Sequence, residues 1–254
     1  MKKYKKIAVI IPCYNEEKGI GKVIDGIPVK KLKSMGYITD IIVVDNNSTD
    51  KTAHVAASLK ASVIVEQRKG KGYAVKTAFA AVPFDANFVV LLDGDNTYKG
   101  HEIPRLIEPL ESNFAEVIIG SRLGGKTKKY SFKMQNRIAN WFYTFLVRQF
   151  YRANITDVLS GYFAWKKEVV DRLSTELISE GFEIEMEMIT KMKKLGFEMY
   201  SVPITYDKRD GETKIEALKD GIRILSTLFK NLTWTPGRRR NLDVSIGSTA
   251  ETTY

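Results

Sequence analysis

Short apolar runs recur through the first half of this chain, each closed by polar residues and followed by a helix-forming stretch, and that rhythm restricts the fold more than any other feature. Residues 7–11, 40–44, 62–65, 88–92 and 116–119 read as strands. Residues 16–24, 50–59, 71–81 and 104–111 read as helices, with Asn15 as a cap for the first and Ser48 or Asp50 suited to capping the second. Strands alternating with helices predict an α/β fold built on a doubly wound, mostly parallel sheet. Several of the runs are apolar without alternation, as strands are when helices cover both faces of the sheet.

Ligands of such sheets bind in the crevice beyond the carboxyl ends of the strands. Three runs end in polar groups that the fold brings to one edge: Pro12-Cys13-Tyr14-Asn15-Glu16-Glu17, Asp45-Asn46-Asn47-Ser48-Thr49-Asp50-Lys51-Thr52, and Asp93-Gly94-Asp95-Asn96-Thr97. Two carboxylates one residue apart, Asp93 and Asp95, suit a hard cation holding phosphate oxygens, and equally suit a solvated turn. Asp45 directly ends an apolar strand, where a carboxylate can accept hydrogen bonds from a uracil or guanine edge. Arg68-Lys69-Gly70-Lys71-Gly72-Tyr73 is glycine-rich, cationic and just ahead of a helix, which suits phosphate contact. Its spacing fits neither a P-loop nor a dinucleotide fingerprint, which disfavours both of those classes.

Composition narrows the class further. The 254 residues allow one large domain, or one domain with an extension, and 44% hydrophobic content excludes global disorder. A single cysteine, Cys13, excludes a disulfide framework and a Cys-based zinc site, and two histidines, His54 and His101, argue against a His-rich one. Reducing conditions and a cytosolic setting are compatible with this. The basic start, residues 1–6, leads into only five apolar residues before Pro12, too short for a signal segment and better read as the first buried strand. No window approaches the roughly 18 apolar residues of a membrane span. A net charge of +10 implies an anionic partner: nucleic acid, an anionic membrane surface or a phosphorylated substrate.

The second half changes character. Between 132 and 151, Ile138, Trp141, Phe142, Phe145 and Leu146 recur at helical spacing, interleaved with Lys133, Arg137 and Arg148, and Arg152 follows. Over 212–234, Ile215, Leu218, Ile222, Leu225, Phe229 and Leu232 follow a three-four rhythm with Lys219, Arg223 and Lys230 at one border. A basic amphipathic helix of this kind lies in a membrane interface or packs on its own domain, and the residues leave both readings open. Residues 1–234 are read as one domain and 235–254 as a disordered tail, whose Arg238-Arg239-Arg240 suit contact with anionic head groups and equally a solvated linker.

Taken together, Ile10-Ile11-Pro12-Cys13-Tyr14-Asn15-Glu16, Val43-Val44-Asp45-Asn46-Asn47-Ser48-Thr49-Asp50-Lys51-Thr52 and Leu92-Asp93-Gly94-Asp95 resemble glycosyltransferase family two. Ile119-Gly120-Ser121-Arg122, Asp157-Val158-Leu159-Ser160-Gly161-Tyr162, Gly181-Phe182-Glu183-Ile184 and Arg209-Asp210-Gly211-Glu212-Thr213-Lys214 resemble its dolichyl-phosphate mannose synthase branch. The resemblance implies a GT-A, Rossmann-like nucleotide-sugar fold. It implies that Pro12, Tyr14, Glu16 and Asp45 surround the nucleoside base, with Lys71 and Asp93 completing the nucleotide set. Asp93 and Asp95 would face the sugar diphosphate and hold Mg²⁺ or Mn²⁺, Asp95 as the direct ligand. Arg122 and Asp157 would line the sugar and acceptor site, and Arg137, Ser160, Arg209 and Lys214 would bind the acceptor phosphate. Asp95, Arg122, Asp157 and Arg209 form the expected catalytic group.

Two departures stand out. Thr97 occupies the position where the mannose synthases usually carry Gln, and Asn96-Thr97-Tyr98 replaces their Leu-Gln-His stretch. This version looks more like archaeal relatives that use UDP-sugars. The expected reaction is a metal-dependent, inverting transfer from a nucleotide-sugar, a UDP-sugar such as UDP-GlcNAc or UDP-glucose ahead of GDP-mannose, to dolichyl or polyprenyl phosphate. The expected partners are therefore that donor, that acceptor and the membrane surface, without nucleic acid, at the cytoplasmic face of the cell membrane in peripheral attachment. The rival readings are a transferase with a glycan acceptor, and a non-catalytic basic protein that binds membrane or RNA.

Overall fold

The computed structural model describes residues 4–128, 131–211, 214 and 216–237. The chain runs β1 (Lys5–Cys13), α1 (Ile20–Asp25), α2 (Val29–Ser34), β2 (Tyr37–Asp45), α3 (Thr52–Ser58), β3 (Ser62–Val65), α4 (Lys71–Ala80) and β4 (Phe88–Leu91). A 3₁₀ turn at Gly100–Glu102 leads into α5 (Ile103–Glu111), β5 (Val117–Thr127), α6 (Met134–Tyr151), β6 (Phe163–Lys166), α7 (Lys167–Ser174), α8 (Ile184–Lys194), β7 (Met199–Tyr206) and α9 (Ala217–Thr233).

The strands form one sheet in the order β3-β2-β1-β4-β6-β5-β7. All neighbouring pairs are parallel except the two made by β6, which runs against both β4 and β5. Successive side chains of a strand point to opposite faces, so a run apolar at every position needs a cover on each side. β1 shows this directly. Ile7, Val9 and Ile11 join a core with α1, α2, α3 and α5, while Ala8 and Ile10 join the other core with α4, α6, α7, α8 and α9.

Chain order reverses at β1, with β2 and β3 added on one side and β4 on the other. That switch point opens the crevice at the carboxyl ends of β1, β2 and β4, where Cys13 pairs in register with Asp45.

Several expected boundaries moved for local reasons. The first helix begins at Ile20, not Glu16, and Asn15 does not cap it. Asn15 sits at a φ of 53°, and its side-chain oxygen accepts the Thr49 N–H at 2.8 Å. Ser48 accepts the Asn15 N–H through its hydroxyl, so it too serves the neighbouring loop, whereas Asp50 accepts the Thr52 N–H at 2.9 Å where α3 begins. α2, α7, α8, β6 and β7 were not anticipated.

α6 and α9 present their faces in an unusual way. α6 buries Asn140, Thr144, Val147 and Tyr151 and leaves Ile138, Trp141, Phe142 and Phe145 exposed. α9 buries Ile224 and Leu228 against α8 and α6, yet Leu218 and Ile222 are 80% and 63% exposed. Packing on the chain's own domain is thus observed for one face of this segment, and a second apolar face is uncovered. The Lys194 ammonium closes the end of α9 by donating to the Asn231 and Leu232 carbonyls, at 3.2 and 2.6 Å. No helix among the described residues is long and apolar enough to cross a membrane. Glu212, Thr213, Ile215 and residues 238–254 of the expected 235–254 tail, with its three arginines, lie outside the described residues.

Candidate active site

A cleft of about 600 Å³ opens at the switch point. Pro12, Tyr14 and Glu16 from the end of β1, Lys71 from the start of α4, and Asp93 and Asp95 beyond β4 form its walls, and Arg209 and Lys214 from the loop after β7 cross it. The loops after β1 and β2 are laced together. Glu16 N–H donates to the Thr52 hydroxyl at 2.8 Å, and Glu17 N–H to Asp50 at 3.1 Å. This fixes the base of the cleft before any ligand arrives.

Charge in the cleft is arranged as carboxylates facing cations. Arg209 lies 2.6 Å from Asp95 Oδ2 and 3.4 Å from Glu16, and Lys214 lies 2.6 Å from Glu16. Lys71 bridges Asp93 at 2.8 Å and Glu185 at 2.6 Å. Burial alone would lower the Lys71 pKa, but these two carboxylates outweigh it and hold the ammonium well above its usual range. Burial raises Glu16, and the Lys214 pairing pulls against that rise. Burial likewise raises Glu185, opposed by Lys71.

Among the described residues, three carboxylate oxygens in this region are buried without a hydrogen-bond partner: Glu16 Oε2, Asp45 Oδ1 and Asp95 Oδ2. Asp95 Oδ2 has the Arg209 ion pair but no well-formed hydrogen bond. Buried acceptors of this kind are costly unless a ligand completes them. Asp45 is 4% exposed, and its other oxygen accepts the Ser48 N–H at 3.3 Å. Hard oxygen donors at Asp93 and Asp95 suit a divalent cation. Among the described residues no three His, Cys, Asp or Glu side chains gather into a ready metal site, so the fit is to a cation shared with a ligand's own oxygens.

The expected residues therefore divide. Pro12, Tyr14, Glu16, Lys71, Asp93, Asp95, Arg209 and Lys214 meet at the cleft, with Asp45 buried beside it. Arg122 and Asp157 do not line it. They form a buried pair in which the guanidinium donates to both carboxylate oxygens at 2.8 Å, and Asn140 of α6 donates to the same carboxylate at 2.6 Å. The Arg122 guanidinium lies over the rings of Phe132 and Tyr206. Ser160 is fully buried and donates to the Gly120 carbonyl at 2.6 Å. Arg137 is exposed on α6.

Sequence reasoning missed Asn46 and Glu185. Asn46 donates to the Glu66 and Arg68 carbonyls and accepts the Gly70 N–H at 2.8 Å, so it shapes the glycine-rich loop. Its place beside Asp45 at a strand end was the available signal. The Gly70 and Gly72 amides are both taken by the protein, the latter by the Glu180 carbonyl at 2.9 Å, and the loop meets the cleft at Lys69, Gly70 and Lys71. Glu185 carried no signal, because a glutamate in a helical stretch ordinarily reads as solvated.

Comparison with known proteins agrees with this arrangement. The family model described as "Glycosyl transferase family 2" matches residues 8–174. The low-salt glycan biosynthesis hexosyltransferase Agl6 of Haloferax volcanii is 32% identical over 89% of this chain, and the chain spans 53% of that protein, about half its length. A dolichyl-phosphate hexose transferase of the same organism is 28% identical over 88% of this chain and 92% of its own length. Glucosyl-3-phosphoglycerate synthase from Mycobacterium tuberculosis, solved with Mn²⁺, UDP and glucosyl-3-phosphoglycerate, shares the fold at a TM-score of 0.69 and 23% identity, over 92% of this chain and 82% of that one. With the sheet, the acidic strand ends and the family match in agreement, this chain belongs to glycosyl transferase family 2.

Proposed function

We propose that this protein transfers a sugar from a nucleotide-sugar, a UDP-sugar in preference to GDP-mannose, to dolichyl or polyprenyl phosphate at a membrane surface, with inversion at the anomeric carbon. The observation that carries this reading is where the cleft opens. Lys219, in the first turn of α9, lines it, and the uncovered apolar residues Leu218 and Ile222 stand on the same helix beside it. A lipid acceptor stays in the bilayer, so its phosphate must be met by an enzyme that lies on the surface. Apolar area together with basic attraction to head groups provides such binding. The relative that bears a dolichyl-phosphate name, and the neighbour solved with Mn²⁺ and UDP, support the same acceptor and donor classes.

The residues divide the chemistry. Asp45 Oδ1, buried and without a partner among the described residues, accepts a single N–H from the base edge. Its second oxygen is already engaged by Ser48, which suits the one N–H of uracil better than the two of guanine. Asp93 and Asp95 would hold a divalent ion, which when bound supplies charge stabilisation to the departing diphosphate. Arg209 and Lys214 leave their carboxylates for the acceptor phosphate. A phosphate monoester is already anionic near neutral pH, so its oxygen attacks the anomeric carbon without a strong general base. Attack on the face opposite the leaving diphosphate inverts the centre.

Incubation with UDP-GlcNAc, UDP-glucose or GDP-mannose and Mn²⁺ tests this reading in vesicles with and without polyprenyl phosphate. The expected outcome is nucleoside diphosphate release and a lipid-linked sugar only when the polyprenyl phosphate is present. Release that ignores the lipid and follows an added glycan would replace the acceptor assignment, and no release from any donor would refute the reading.

A further inference from the structure

Thr97 stands at one of the two departures from the mannose synthase pattern, and its environment is specific. It is 1% exposed, and both its N–H and its hydroxyl donate to Asp95 Oδ1, at 2.9 and 2.5 Å. Asp95 is itself 1% exposed. Turning that carboxylate would break two charge-assisted bonds where water cannot replace them, so its rotation is set. The surrounding backbone is held as well. The Thr97 carbonyl accepts the Asp207 N–H at 2.9 Å, and the Asp95 carbonyl accepts the Asp210 N–H at 3.0 Å. The left-handed residue between them, Asn96, donates its amide to Asp210 at 2.9 Å.

One oxygen of Asp95 is thus committed to its own turn, and the other, Oδ2, is turned to the cleft, where the Arg209 guanidinium lies 2.6 Å away. We propose that Thr97 is a positioning residue, whose hydroxyl fixes Asp95 so that it offers a divalent cation one oxygen and no more. This rests on the reading of the cleft as a site for a metal and a nucleoside diphosphate. A small hard cation such as magnesium is bound through one or two carboxylates together with water and substrate phosphates, whereas calcium takes more oxygens and accepts both from one carboxylate. The Thr97 hydroxyl therefore does two things: it presents Oδ2, and it denies a larger ion the second oxygen.

The experiment is calorimetric titration of Mn²⁺ into the full chain saturated with UDP, or with GDP where the donor panel selects guanosine, on wild type, Thr97→Val and Thr97→Ser. Loss of a hydrogen bond to a charged group predicts that Thr97→Val binds Mn²⁺ about tenfold more weakly. Thr97→Ser keeps the hydroxyl and stays within about twofold of wild type. Calcium competes better against manganese in the valine variant than in wild type, a ratio that a merely structural threonine would leave unchanged. Wild-type affinity in Thr97→Val overturns the proposal. So does a tenfold loss in Thr97→Ser, which decides the matter even where the valine variant does not fold. Wild-type protein that takes up no Mn²⁺ with nucleotide present counts against the functional reading itself, while wild-type binding with an indifferent valine variant sinks the Thr97 role alone.

Discussion

Asp45 shows how a single side chain can be costly to the fold and useful to a ligand. Its Oδ1 is buried without a donor among the described residues, a state that disfavours the empty protein and rewards any molecule that brings an N–H. Asp45→Asn removes that charge and leaves the shape. The variant should bind a UDP-sugar about tenfold or more weakly, because a hydrogen bond to a charged group is worth about 1.5–3 kcal/mol. Its melting temperature without ligand should hold or rise, since an unpaired buried carboxylate has been replaced by a neutral amide. A thermal-shift series with and without nucleotide reads both effects, and unchanged nucleotide affinity would remove Asp45 from the base site. At this scale the sequence was legible wherever chemistry ends a strand: Asp45, Asp93 and Asp95 were each marked by the apolar run before them. It was not legible for Glu185, whose significance is the 2.6 Å contact with Lys71, more than a hundred residues away in the chain.

At the scale of elements, α6 and α9 are the informative pair. Their apolar periodicity was evident in the sequence, but periodicity does not say which face is covered. The covered face of α6 includes Asn140 and Thr144, because the Asp157 carboxylate and the Val158 and Leu159 N–H groups provide partners for them. That leaves Trp141, stacked on Phe145 at 5.9 Å, facing outward. Phe150 of α6 meets Phe229 of α9 edge to face, so exposed aromatic side chains of the two helices touch. Trp141→Glu combined with Ile222→Glu should release the protein from anionic vesicles in a flotation assay while leaving its melting temperature within a few degrees of wild type. Retained flotation would show that another surface carries the attachment. Large losses of stability would show that these side chains belong to the core.

For the molecule as a whole, the buried Arg122–Asp157 pair joins parts that the sequence keeps separate. Arg122 belongs to β5, Asp157 to the segment between α6 and β6, and Asn140 to α6, and Arg122 and Asn140 converge on the Asp157 carboxylate. Removing one partner of a buried pair leaves the other charge uncompensated and costs about 3–5 kcal/mol. Asp157→Ala should therefore lower stability by that order in chemical denaturation. A variant that loses activity at wild-type stability would instead return Asp157 to direct chemistry. What the sequence determined by itself was the alternation of strands and helices, the doubly wound sheet and the acidic strand ends, because apolar periodicity and a carboxylate after a strand are local properties of the chain. Tertiary structure alone decided that β6 runs antiparallel, that Arg122, Asp157 and Ser160 are buried in hydrogen bonds with the chain itself, and that α6 turns its aromatic face outward. Each of those outcomes depends on which distant groups supply hydrogen bonds and cover, and no local pattern carries that information.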